Sequence, residues 1–192
     1  MKTRDIAYSG LMIALFLSIC FAFRTNTRVV QTYLEIIKVI IVAVFIRNIE
    51  RKNWWVSASA CFLICLLLVS VPDTLIYNVP SIVCGCVIGL QKERKGIVRN
   101  YLFFFIIHSL MLIYEFAVFG FFMQTNLFTL YQEQAATVLS EITSGMISVI
   151  MAQALFIAFM IFDSAFSSFV IFSLSQIAIK KLNGVLRTSN AE

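Results

Sequence analysis

The stretch NVPSIVCGCVIGLQKERKGIVRN, Asn78 to Asn100, is apolar from Val79 to Leu90 and then turns abruptly into Gln91, Lys92, Glu93, Arg94, Lys95 and Arg99. Lysine and arginine beside a spanning segment are retained on the cytoplasmic side during insertion, so the cluster reads as a membrane helix ending inside the cell at Leu90. Within the same run Ser81, Gly85 and Gly89 recur every four residues. That spacing stacks small side chains on one helix face and lets a second backbone come close.

Composition points the same way. Of 192 residues 60% are hydrophobic and 13% charged, and 19 are Phe, which leaves too little polar surface to cover a soluble globule. Two prolines and seven glycines, with no Gly/Ser-rich or Pro-rich stretch, supply no linker. Residues 1–192 therefore read as a single membrane domain. The net charge of +5 gathers at hydrophobic boundaries. It fits orientation and contact with the lipid bilayer, and no nucleic-acid partner is expected. Cys20, Cys61, Cys65, Cys84 and Cys86 all lie in apolar runs and read as packing residues; two apart on a helix, Cys84 and Cys86 point about 200° from each other. With one histidine in the chain, neither a metal site nor a cofactor is expected.

Counting outward from Leu90 gives an all-α, polytopic membrane protein with six transmembrane helices, approximately 6–23, 29–46, 54–71, 74–90, 101–123 and 142–179. Lys2 and Arg4 followed by an apolar run resemble a signal peptide, with Cys20-Phe21-Ala22 a weak cleavage match, but 18 residues from Ile6 to Phe23 reach roughly 27 Å and favour a retained span. Trp54 and Trp55 follow the basic boundary Arg47 to Asn53 as interfacial anchors. Pro72-Asp73 reads as a tight turn, and Gln124 to Thr137 as a partly interfacial amphipathic piece. The long run to Ile179 is either one helix bent near Asp163 or two segments. One helix is preferred, because it keeps Lys2/Arg4, Arg47 to Lys52, Lys92 to Arg99 and Lys180/Lys181/Arg187 on one side, with N-terminus and C-terminus both cytoplasmic. Arg24 and Arg28 are the exception. They fall on the outer face, where they either meet solvent and lipid headgroups or grip an anionic group on a ligand.

Ionisable residues inside spans are functional candidates by default. Glu35 and Lys38, three apart, share a helix face and read as a mutually neutralising pair. Glu115 lies in the outer half of its span. Asp163 either partners Lys38 or His108 or marks a break exposed to water, and His108 reads as a satisfied interior imidazole. No HExxH, GxSxG or P-loop occurs. Phe104 and His108 match one fragment of the intramembrane CAAX-type proteases, without that family's paired glutamates or second histidine. The chain is read as no enzyme, with no catalytic residue. Lacking a nucleotide loop, it would need a partner to drive uphill transport. Gly10, Ala14 and Ser18 on the first helix offer a docking face of little bulk, or ordinary packing within the bundle.

In size, span count and the segment MKTRDIAYSGLMIALFLSI the chain resembles the substrate-binding membrane subunit, or S component, of energy-coupling factor (ECF) vitamin transporters. In that family the first helix carries two alanines four apart that meet the coupling subunit; Gly10 and Ala14 match the spacing, with glycine replacing the first alanine. The resemblance implies an ABC-type importer subunit in the bacterial plasma membrane that captures a vitamin or related small nutrient near the outer face. Its partners would be a coupling membrane subunit and two cytoplasmic ATPases. It implies a lid around Arg24, Asn26 and Arg28, a cavity wall with Asn78 and Glu115, and stacking from Tyr77, Phe116 and Phe119. The alternative is a non-transporting scaffold or assembly subunit of a cell-envelope complex, of the rod-shape-determining type, which would hold protein partners and no ligand.

Overall fold

The computed structural model describes residues 1–22, 28–91, 96–124, 129–130, 133–134, 137–138, 141 and 149–189. Among these every regular element is helical. The long helices are α1 (Thr3–Ala22), α2 (Arg28–Asn48), α3 (Trp54–Leu68), α4 (Val71–Leu90), α5 (Ile97–Met123) and α6 (Val149–Ser189). Among the described residues four segments, Thr3–Phe21, Val71–Leu90, Ile97–Met123 and Gln153–Leu182, are long and apolar enough to cross a membrane. The predicted interfacial piece after Gln124, the start of the last span and Lys92 to Lys95 lie largely or wholly outside the described residues.

Consecutive helices run in opposite directions, and the contacts at their ends show it. Lys2 Nζ pairs with Glu50 Oε1 at 2.6 Å, joining the start of α1 to the end of α2. Arg47 donates to the Gln91 carbonyl at the end of α4, and Gln91 Nε2 donates to the Asn100 carbonyl at the start of α5 at 2.9 Å. Across α5 and α6 the pairs run Tyr101 with Phe172, His108 with Ser168 and Ser109 with Ser164, which is an antiparallel order. Lys180 and Lys181 on α6 therefore return to the end that holds Lys2, Arg47 and Arg99. That end of the bundle is its cationic end.

α2 and α4 form the middle layer. On one side α1 and α3 close a core of Met12, Phe16, Val42, Ile46, Cys61 and Cys86, and on the other α5 and α6 close one of Ala43, Cys84, Ile88, Phe104, Ile171 and Phe172. Cys84 and Cys86 thus face opposite layers, as their spacing on a helix requires. All five cysteines are free thiols.

Several boundaries differ from the sequence reading, among them the end of α3, the start of α4 and the end of α6, which runs to Ser189 and not to Ile179. α3 stops at Leu68, so at 15 residues it spans only about 22 Å. Pro72 and Asp73 are the first turn of α4 and not a separate loop. Ser70 caps that turn, its hydroxyl accepting from the Asp73 N–H at 3.1 Å, and Pro72 occupies an early position where a missing N–H costs nothing. The last helix is unbroken from Val149 to Ser189, so Asp163 to Ser168 continue a single helix. Its 41 residues, about 60 Å, are about twice the length that a hydrocarbon core of roughly 30 Å needs.

Candidate functional site

The middle of α4 is not α-helical. Thr74–Asn78 is a π-helical segment, with the Val79 N–H reaching the Thr74 carbonyl five residues back. Pro80 follows immediately and has no N–H to give, which breaks the ordinary ladder and favours a widened turn. The widening turns Asn78 inward, 1% exposed, inside hydrocarbon-facing helices. A buried amide there requires partners. Lys38 on α2 supplies one: its Nζ donates to Asn78 Oδ1 at 2.8 Å, and Cys20 Sγ on α1 donates to the same oxygen at 3.5 Å. The ammonium, 8% exposed by residue, also lies 5.7 Å from the Phe16 ring centroid, close enough for the ring face to attract it. Three helices thus converge on one amide oxygen.

Two acids border this cluster. Glu35, half-buried one turn earlier on α2, is within electrostatic reach of Lys38 on its own helix and of Glu115 on α5. Lys38 directs its hydrogen bond to Asn78, where the sequence reading pairs it with Glu35. Among the described residues one cation stands beside two carboxylates, which leaves surplus negative charge in a medium that tolerates it poorly, so a proton or a cationic group must meet it. The cluster lies in the half of the bundle away from the cationic end. Cys20 is near the end of α1.

The remaining expected site residues distribute as follows. Tyr77 is in the π segment beside Asn78, half-buried, and Phe116 and Phe119 are half-buried on α5. Phe116 also borders an apolar cleft of about 540 Å³ between α5 and α6. Arg24 and Asn26 lie outside the described residues, as does the side chain of Arg28. Gly10, Ala14 and Ser18 all lie on the exposed face of α1, and a Cβ at Gly10 would meet nothing within 4 Å. His108 is satisfied by Ser168, whose Oγ stands 2.9 Å from Nδ1, and Asp163 is exposed.

The sequence reading passes over Asp5. Its residue is fully buried, with Oδ2 accepting from Asn53 Nδ2 at 2.7 Å and Oδ1 without a partner. Beside it Ser9 Oγ donates to the Asp5 carbonyl at 2.7 Å and meets Ser57 Oγ at 2.6 Å. An acid in the first turn complements the positive end of the helix, which is the signal in the sequence that bears on it. Comparison with protein-family models, with curated proteins and with solved structures finds no match for this chain.

Proposed function

We propose that this protein is the substrate-binding membrane subunit of an importer of the ECF type, capturing a vitamin-like small nutrient and passing it inward with the help of a coupling membrane subunit and two ATPases. The observation that carries the reading is the polar cluster of Lys38, Asn78, Glu35 and Glu115 in the half of the bundle away from the cationic end. A buried lysine held by an amide on a π segment costs stability that a purely structural bundle would avoid by burying apolar groups instead. Convergent polar groups of this kind, with the Phe16 ring beside the ammonium, are what a small ligand needs for orientation, and Tyr77 and Phe119 would add stacking. The surplus of carboxylate over ammonium favours a ligand that brings a cationic group. The open small-residue face of α1 supports the second half of the reading, a membrane partner.

The test is thermal unfolding of the full chain in detergent against a panel of cationic, neutral and anionic water-soluble vitamins. A cationic member at a hundredfold excess over its Kd should stabilise the protein by about 2.7 kcal/mol, and Lys38→Met and Glu115→Gln should each lose that shift while remaining folded. No shift with any member, combined with loss of a co-purifying membrane partner in Gly10→Leu, would instead favour the scaffold reading, which the α1 face alone would also serve.

A further inference from the structure

At the cationic end, α4 and α5 diverge from the Arg51 corner to leave a cleft of about 530 Å³ lined by Arg51, Arg99, Gln91, Val87, Leu90 and Phe103. We propose that this cleft binds an anionic phospholipid, with its phosphate between Arg51 and Arg99 and the start of an acyl chain along Val87, Leu90 and Phe103. Its size falls within the roughly 300–1,000 Å³ of small-molecule sites. Both arginines are exposed and, among the described residues, neither forms an ion pair. Among the described residues Glu50, next to Arg51 in sequence, is already held by Lys2 at 2.6 Å and by Lys52 at 3.6 Å. Two planar guanidinium groups facing one cleft suit a phosphate.

The wall selects a lipid over a free anion. Phe103 is 54% exposed and stands one helical turn from Arg99, so the cleft is cationic at its mouth and apolar along its side. Trp55, 58% exposed at the start of α3 beside Arg51, marks the depth at which headgroups lie. One further atom refines the headgroup. Gln91 Oε1 is buried without a hydrogen-bond partner, while its Nε2 is fixed on the Asn100 carbonyl. An oxygen left in this way gains from a donor once the side chain turns its amide oxygen toward the cleft, and a glycerol headgroup carries a hydroxyl next to its phosphate.

The experiment is native mass spectrometry of the full chain in detergent, titrated separately with dioleoylphosphatidylglycerol, dioleoylphosphatidylmethanol, dioleoylphosphatidylcholine and inorganic phosphate. Phosphatidylglycerol should bind one to one and most tightly, phosphatidylmethanol less tightly for want of the hydroxyls, and the other two not measurably. The double variant R51Q/R99Q should weaken phosphatidylglycerol by roughly tenfold or more, the share expected of two near-surface cations. K180Q/K181Q, neutralising two exposed lysines on the same end, should bind as the unmodified chain does. Equal losses in the two double variants would overturn the site in favour of diffuse surface charge. Binding of inorganic phosphate as tight as that of the lipid would overturn the lipid as occupant, and equal binding of the glycerol and methanol headgroups would overturn the role of Gln91.

Discussion

Two helices carry the same device, small residues four apart, and the fold treats them in opposite ways. On α4 the stripe is filled: a Cβ placed at Gly85 would stand 2.5 Å from Val42 Cβ and 2.9 Å from the Val39 carbonyl, and one at Gly89 would stand 2.8 Å from the Ala43 carbonyl. On α1 the stripe of Gly10, Ala14 and Ser18 faces outward with open space at Gly10. The inner face of α1 is the one tied down, by Asp5 to Asn53, Ser9 to Ser57 and the packing of Met12 and Phe16. Close backbone approach needs small residues and gains from contact and not from the hydrophobic effect, since lipid is as apolar as leucine. The α4 stripe has collected that gain within the chain, whereas the α1 stripe is free to collect it with another.

The comparison breaks most visibly at Gly85. Gly85→Leu must push α2 and α4 apart at a backbone contact, so a loss of about 3 kcal/mol or more, or failure to yield folded protein, is expected; a thermal midpoint in detergent reads it. Asn53→Leu comes next, because it leaves the buried Asp5 carboxylate with no donor and loosens the inner face of α1. A loss of about 2 kcal/mol is expected, recovered in part when Asp5→Leu is added, as a double-mutant cycle would show.

Glu50→Gln should act more weakly and in a pH-dependent way. The hydrogen bond from Lys2 holds the Glu50 carboxyl below its ordinary value. The unfolded chain therefore takes up this proton first as pH falls, and the stability from the Lys2 pair is present above the ordinary glutamate value of about 4.3 and lost below it. The variant should lose the small contribution of the pair at neutral pH and match the parent chain at low pH, which flattens the acid limb of the melting curve. Gly10→Leu sharpens the contrast with the smallest effect of all. Its thermal midpoint should match that of the parent chain within about 0.5 kcal/mol, while any membrane partner that co-purifies with the parent should be lost. A large destabilisation would show that α1 has a covered side at Gly10 after all.

Much of this arrangement can be read from residue order, because the signals are local. Apolar length, tryptophan pairs and basic boundaries place helices and their cationic ends, and the offset of Cys84 from Cys86 assigns them to different layers. What stands opposite a face is not local. The spacing of Gly10, Ala14 and Ser18 is the same as that of Ser81, Gly85 and Gly89, and only the folded bundle distinguishes an occupied stripe from a vacant one. The same limit hides the partner of Lys38. Glu35 is its neighbour along the helix, but Asn78 is 40 residues away and turns toward it only because Pro80 widens the turn before it. Asp5 is hidden for a further reason, since an acid near a chain start ordinarily sits in water and here α3 covers it.

The widened turn in α4 also acts as a dislocation between two half-helices. One residue more than an α-turn rotates everything after it by roughly 100° relative to everything before. Upstream, Thr74 can then reach the Cys65 carbonyl on α3 at 3.1 Å; downstream, Asn78, Gly85 and Gly89 address α2. Winding the segment as a regular helix would leave these two sets of contacts out of phase, so a single-residue deletion between Thr74 and Asn78 would force α4 to give up one neighbour to keep the other.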